Sequence, residues 1–315
     1  MQTRPLGRSG LSIAPLVFGG NVFGWTIDEK TSFDLLDGFV DAGFNAIDTA
    51  DVYSAWAPGN KGGESETIIG KWLKNNPAKR AKILILTKVG SDMGEGRKGL
   101  SARWIAQAVE DSLRRLQTDV IDLYQSHWPD ATPDDETLGA YDKLIKAGKV
   151  RAIGASNLDA EQLKRALDVS AAKSLPRYES LQPEYNLYDR AKFDGALQEL
   201  VLREDVGVIT YFSLASGFLS GKYRSKADMG QSKRGNGVEK YLDARGLRIL
   251  DALDGVAKRL EAKPAEVALA WVMARKGVTA PIASATSRDQ LASLVRSADL
   301  KLSDEDSRAL DTASA

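Results

Sequence analysis

Eight short apolar runs, each followed by a longer stretch with helical spacing of its apolar residues, dominate this 315-residue chain. The runs fall at 16–20, 44–49, 82–88, 120–126, 150–155, 178–182, 207–212 and 279–283. Each is rich in β-branched or aromatic residues and is bounded by Gly, Pro, Asn or Asp, as strands are. The stretch 31–42 places Phe33, Leu36, Phe39 and Val40 at helical spacing and stops at Gly43. The stretch 101–116 opens on Ser101 as N-cap and carries Ile105, Val109, Leu113 and Leu116 on one face. Helices are also expected at 134–147, ending before Gly148, at 159–172, and at 264–276, which starts with Pro264 in a first-turn position. Strand, helix, parallel strand is the α/β pattern, and continuous apolar strands imply a sheet covered on both faces. That alternation fits an open doubly wound sheet as well as a closed barrel. Eight units in a chain of this length favour the (β/α)8 TIM barrel. No shift in composition divides the chain, so it reads as one domain over residues 1–315.

Two segments depart from the repeat. Arg4 to Pro15, with Gly7 and Gly10 in turn positions, reads as a short N-terminal hairpin. Between strands seven and eight the spacing roughly doubles, and the excess is a polar Gly/Ser/Lys/Arg loop at 221–241 followed by an extra helix at 243–260. A long loop leaving the C-terminal end of a barrel strand lies where barrel active sites are built, so it is either a lid or a surface insertion.

The composition excludes several classes of function. With no cysteine there is no disulfide, zinc–thiolate site or thiol nucleophile, and with a single histidine, His127, there is no histidine metal cluster. Lys plus Arg and Asp plus Glu are both 43, so no basic excess marks a nucleic-acid surface. The locally basic tract 222–240 is broken by glycines and acids and reads as a solvated loop. The apolar runs are of strand length, and the first residues have no signal-peptide core. A soluble cytoplasmic protein without membrane or nucleic-acid partners is expected, as a monomer or weak homo-oligomer.

The ends of the strands carry the chemistry. Strand two ends in Asp48 and runs on to Tyr53; strand three ends in Lys88, strand four in Ser126-His127, strand five in Ser156-Asn157, strand six in Gln182 and strand seven in Tyr211. A phenol ionises near pH ~10 and is a poor acid at neutral pH unless a nearby cation stabilises its phenolate. Lys88 can supply that cation, Asp48 can hold Lys88 as an ion pair, and His127 can orient a substrate oxygen. Each residue alone has an ordinary structural role. Adjacent barrel strands would bring all four to one rim, which is what makes them a proton-donor set.

At these residues the chain resembles the aldo-keto reductase family over essentially its whole length. The matching stretches are Gly43-Phe44-Asn45-Ala46-Ile47-Asp48-Thr49-Ala50-Asp51-Val52-Tyr53 with Ser65 to Gly70, Leu86-Thr87-Lys88, Asp122 to His127, Gly154-Ala155-Ser156-Asn157, Gln182 to Asn186, and Tyr211 to Leu214 running on to Gly217-Phe218-Leu219-Ser220-Gly221-Lys222. The resemblance implies that Asp48, Tyr53, Lys88 and His127 are the catalytic tetrad. It implies that Ser156, Asn157 and Gln182 hold a nicotinamide carboxamide, with Tyr211 stacked on the ring and Gly20 and Asn21 near the ribose. Ser213, Leu214, Gly217, Leu219 and Lys222 would wrap the pyrophosphate, a Gly/Ser loop with a cation being a sound phosphate cradle.

Two features set the chain apart within that family. The insertion from Ser54 to Gly63 resembles the bacterial, channel-β-subunit-like branch and brings Trp56, with Trp25 and Trp128, toward the substrate mouth, which favours apolar or stacked sugar-like ligands. After strand eight, Ser284, Thr286, Arg288 and Gln290 are the candidates for a cofactor 2′-phosphate, and Arg288 is the lone cation of that stretch. The family points to NADPH, with NADH as the alternative. The expected activity is reduction of an aldehyde or ketone to an alcohol, or its reverse, with no metal. The alternatives are a cofactor-binding regulatory or redox-sensing subunit of channel-β type and a Schiff-base aldolase using Lys88.

Overall fold

A computed structural model describes residues 2–233 and 235–315. Met1 and Arg234, the latter inside the long loop at 221–241, lie outside them. Eight strands close into a parallel barrel: β3 (Val17–Gly19), β4 (Ala46–Asp48), β5 (Leu84–Val89), β6 (Ile121–Ser126), β7 (Val150–Ser156), β8 (Ser180–Gln182), β9 (Gly207–Thr210) and β10 (Ala280–Ala283), with β10 pairing back onto β3. This is a (β/α)8 TIM barrel, and every strand expected from the sequence is in it. The first two strands, β1 (Arg4–Pro5) and β2 (Ser12–Ile13), form an antiparallel hairpin as expected.

Side chains alternate across each strand, so the barrel carries two apolar sets. Val17, Ala46, Leu86, Leu123, Ala152, Ile209 and Ala280 point inward. Phe18, Ile47, Ile85, Tyr124, Ile153, Leu181 and Val208 point outward onto the helices. The hairpin adds Leu6, Leu11 and Ile13 to the inner set and plugs its lower end. The turn requires Gly7, whose φ is +54° and where a Cβ would lie 2.3 Å from the Glu179 carbonyl oxygen.

The surrounding helices are α1 (Glu29–Asp41), α2 (Glu64–Asn75), the short α3 (Pro77–Arg80), α4 (Ala102–Leu116), α5 (Asp134–Lys146), α6 (Ala160–Lys173), α7 (Ala196–Glu204), α8 (Ala244–Arg259), α9 (Pro264–Met273), α10 (Arg288–Asp299) and α11 (Asp304–Ser314). Ser101 caps α4 by accepting from the Trp104 amide, and Asp159 and Gln162 form a capping box on α6. The expected helix at 31–42 begins two residues earlier, because Asp28 accepts from the Thr31 amide and is the true N-cap. The described part of 221–241 holds two 3-10 segments, Lys226–Gln231 and Gly235–Tyr241. Its polar residues face solvent, while Tyr223, Val238 and Tyr241 are buried beneath them. No helix among the described residues is long and apolar enough to cross a membrane.

Candidate active site

The inward stripe of each strand changes character along the barrel. Ala46 gives way to Asp48, Leu86 to Lys88, Leu123 to Gln125, Ala152 and Gly154 to Ser156, Ser180 to Gln182, and Ile209 to Tyr211. A parity of two along parallel strands therefore gathers the polar residues at one mouth.

At its centre is the Lys88 ammonium, fully buried. Its Nζ donates to Asp48 Oδ2 at 2.7 Å, to the Thr49 carbonyl at 2.8 Å and to Tyr53 Oη at 2.8 Å. An ammonium has three protons, and all three are engaged. Burial pushes the lysine down from its ordinary range, and the charge and hydrogen bond of Asp48 oppose that. Tyr53 Oη in turn lies 3.3 Å from Asp48 Oδ2. The other carboxylate oxygen, Oδ1, accepts from Gln182 Nε2 at 2.9 Å, and the same nitrogen reaches Gln125 Oε1 at 3.1 Å. Asp48, Tyr53 and Lys88 are thus one hydrogen-bonded unit.

His127 completes the wall. Its ring centroid is 6.0 Å from that of Tyr53, and its Nδ1 is 2.9 Å from Ser91 Oγ. Burial, and then the Lys88 charge, push the imidazole well below its ordinary range, so the ring is neutral at pH 7. A Ser91 hydroxyl that donates to Nδ1 leaves the ring proton on Nε2 as a donor. Trp128 stacks on His127 at 5.9 Å with an interplanar angle of 13°. Trp56 packs edge-on against both Tyr53, at 5.9 Å, and Trp25, at 5.6 Å. Trp56 and Trp128 are 48% and 49% exposed, which makes them rim residues rather than core.

On the far side of the mouth, Ser156 Oγ donates to the Gln182 carbonyl at 2.8 Å. Asn157 Nδ2 reaches the His127 carbonyl at 2.9 Å and Ser156 Oγ at 3.0 Å, and Tyr211 Oη donates to Asn157 Oδ1 at 2.7 Å. Below the first loop, Gly20 is held against Asp48 and Ser65, where a Cβ would lie 2.9 Å from each. Ser284 Oγ lies 2.7 Å from Asn21 Oδ1 and 2.8 Å from the Gly19 carbonyl.

After β9 the chain runs through four left-handed residues, Phe212, Ala215, Ser216 and Gly217. Left-handed backbone costs on the order of 1 kcal/mol per non-glycine residue, and here the Ala215 and Gly217 amides close tight turns onto the Phe212 and Leu214 carbonyls at 2.6 and 2.8 Å. Ser213 Oγ is buried against Thr210, 3.1 Å from its hydroxyl and 3.0 Å from its carbonyl. Leu214 is half-buried and Leu219 buried in this turn, while the Lys222 ammonium lies 4.9 Å from the Tyr223 ring. Lys233 Nζ donates to the Trp25 carbonyl at 3.0 Å, tying the long segment across to the β3 side.

Arg288, at the start of α10, already has a partner. It lies over Gly38 of α1 and forms a two-point ion pair with Asp34, its Nε reaching Oδ2 at 2.5 Å. Gln290 Oε1 accepts from the amide and hydroxyl of Thr286 at 2.8 and 3.0 Å, closing the turn that opens α10. Sequence reasoning missed Gln125 and Ser91, which touch Gln182 and His127. The inward parity of Gln125 on β6 was the available signal; Ser91 had none.

The model of the aldo/keto reductase family matches residues 15–315. The uncharacterized oxidoreductase YrpG of Bacillus subtilis is 36% identical over 99% of this chain and 95% of its own length. The chain belongs to the aldo/keto reductase family. The protein Tas of Escherichia coli is 32% identical over 97% of this aldo-keto reductase and 95% of its own length. A probable voltage-gated potassium channel subunit beta of Oryza sativa is also 32% identical, over 95% and 92%. As a member of that family, the protein is an NAD(P)-dependent oxidoreductase.

Proposed function

We propose that this enzyme reduces aldehydes or ketones to alcohols, or runs the reverse, with Tyr53 as proton donor and NADPH in preference to NADH. The observation that carries this is the Lys88 ammonium enclosed by Asp48, Thr49 and Tyr53. The residues fit a dinucleotide: Ser156, Asn157, Gln182 and Tyr211 offer hydroxyl, amide and aromatic groups at the barrel mouth, Gly20 and Asn21 line the adjoining first loop, and the turn at 212–217, with Leu214, Leu219 and Lys222, would cradle a pyrophosphate. The dihydronicotinamide supplies the hydride when bound. The chain supplies the rest. Lys88 donates to Tyr53 Oη and so stabilises the phenolate left when the Tyr53 proton moves to the substrate oxygen. Asp48 fixes Lys88, and the neutral His127 offers Nε2–H to the same oxygen as a donor that keeps its proton. Trp25, Trp56 and Trp128 line the approach and favour a flat or apolar substrate.

NADPH over NADH rests on the family and on Ser284, Thr286, Arg288 and Gln290 near the start of α10. Asp34 competes with a 2′-phosphate for Arg288, which keeps NADH as the alternative. The enzyme is taken as one domain across 1–315, a cytoplasmic monomer or weak homo-oligomer, which its thiol-free composition fits.

Tyr53→Phe is the test. It should lower kcat by about three orders of magnitude while leaving NADPH binding, read by tryptophan quenching, within about twofold. A variant that keeps most of its turnover overturns the mechanism. A second function, a cofactor-binding regulatory subunit, is favoured by the likeness to the rice potassium channel subunit beta. Tight NADPH binding with no turnover on a broad carbonyl panel would support it. A Schiff-base aldolase is disfavoured, because the Lys88 nitrogen is fully buried with all three protons engaged.

A further inference from the structure

Directly behind Lys88, on the outer face of the barrel wall, lies a second buried polar layer. The chain beyond β4 continues beside β5: the Thr49 amide donates to the Leu86 carbonyl at 2.8 Å and the Asp51 amide to the Lys88 carbonyl at 3.2 Å. Asp48 therefore faces inward, and Asp51, three residues on, faces the helices. Asp51 is 1% exposed, and neither of its carboxyl oxygens accepts a hydrogen bond of ordinary geometry from the protein.

The groups around it come from every element packed there. Glu66 of α2 is fully buried, accepts from Thr87 Oγ1 at 2.6 Å, and forms an ion pair with Arg115 Nε of α4 at 2.7 Å. Gly70 permits that pair, since a Cβ there would lie 2.0 Å from the Arg115 carbonyl. Tyr124 of β6 presents a buried hydroxyl that also lacks a protein partner. Lys88 of β5 presents its charge through the wall. Charge balance decides the rest. Lys88 is matched by Asp48 and Arg115 by Glu66, so Asp51 is a third carboxyl among two cations. A buried carboxyl without donors or a cation of its own is held as the neutral acid. Burial first and the Glu66 charge second push Asp51 up to about 8, against weaker opposing pulls from Arg115, the Val52 amide and Lys88.

We propose that Asp51 is a positioning residue acting through Lys88: as the neutral acid it leaves the ammonium's charge to Tyr53, and as the carboxylate it offsets that charge. The proposal rests on the reductase function above. Ionisation as the pH rises through about 8 then slows carbonyl reduction. The proton goes to solvent and no bond is made or broken. Asp51→Asn mimics the neutral acid and holds the ammonium's pull on Tyr53 at every pH.

Two measurements test this. In wild-type protein carrying 13C-labelled aspartate carboxyls, one carboxyl resonance should titrate near pH 8 and be missing from Asp51→Asn; no aspartate titrating above pH 6 overturns the proposal, and this readout needs no turnover. In NADPH-dependent reduction, wild type and Asp51→Asn should agree at pH 6. Above pH 8 the variant should be faster by about threefold to tenfold, its descending limb displaced to higher pH. Superimposed profiles overturn the coupling to Lys88. Failure of the reductase function itself would appear separately, as Tyr53→Phe retaining its turnover.

Discussion

Asp48 serves two neighbours at once, Lys88 through Oδ2 and Gln182 through Oδ1. Removing its charge leaves the lysine buried with two neutral acceptors, and breaking one partner of a buried pair costs about 3–5 kcal/mol. Asp48→Asn should therefore lose stability on that scale in urea denaturation, as well as turnover. His127 makes a prediction of a different kind. Its folded-state value is depressed by burial, so the unfolded chain takes up a proton first as pH falls below about 6.5. The stability it contributes is present above that pH and is lost on acidification. His127→Gln, which keeps a donor, should flatten the part of the stability–pH curve between pH 5 and 7 that wild type shows in denaturation series. A curve with unchanged slope would mean that the imidazole is already charged in the folded protein.

At the scale of elements, an ion pair joins α1 and α10. Gly38 gives Arg288 room to lie along α1, where Asp34 takes both ends of the guanidinium. The pair is exposed, so it adds little to stability. Its consequence is for recognition, because a carboxylate on the Nε–Nη2 edge offsets the guanidinium charge and competes with a phosphate for it. Asp34→Ala should raise the preference for NADPH over NADH by about threefold to tenfold, read as the ratio of the two Kd values by fluorescence titration. An unchanged ratio would mean that Arg288 takes no part in cofactor choice. The segment between β9 and α8 behaves as an element too. Tyr223, Val238 and Tyr241 anchor it from below and Lys233 fastens it to Trp25.

The whole barrel is polarised from end to end. Its lower interior is filled by Leu6, Leu11 and Ile13 of the hairpin together with the inward aliphatic residues of the strands, and its upper interior holds the ionisable groups. A closed, apolar floor keeps solvent from the buried Lys88–Asp48 pair and strengthens the interactions there. Leu6→Ala should cost about 2–5 kcal/mol in denaturant unfolding, as other buried leucine truncations do. Cofactor affinity should stay unchanged, because the hairpin lies at the end of the barrel away from Tyr53. A loss of affinity without a loss of stability would contradict that division of labour.

The eight strands, the hairpin and the placing of Asp48, Tyr53, Lys88 and His127 at one mouth were legible in the sequence, because strand ends and side-chain parity are local properties. Apolar runs of strand length, turn residues at their ends and side-chain parity of two are properties of adjacent residues. Helices at 64–75 and 196–204 were not singled out, since Gly63 and Gly195 open them without a capping side chain; the one at 304–314 was not either, although Ser303 and Asp306 form a capping box on it. Ser91 beside His127, Gln182 on Asp48 and Arg288 on Asp34 became visible only in the closed barrel, the last across 254 residues of chain. The layer of Asp51, Glu66, Arg115 and Tyr124 is of the same kind. Which charge faces which, and how much water reaches it, follows from the register of the strands and the docking of the helices. The sequence determined which residues stand at the mouth of the barrel, and the tertiary structure decided their partners and so their protonation.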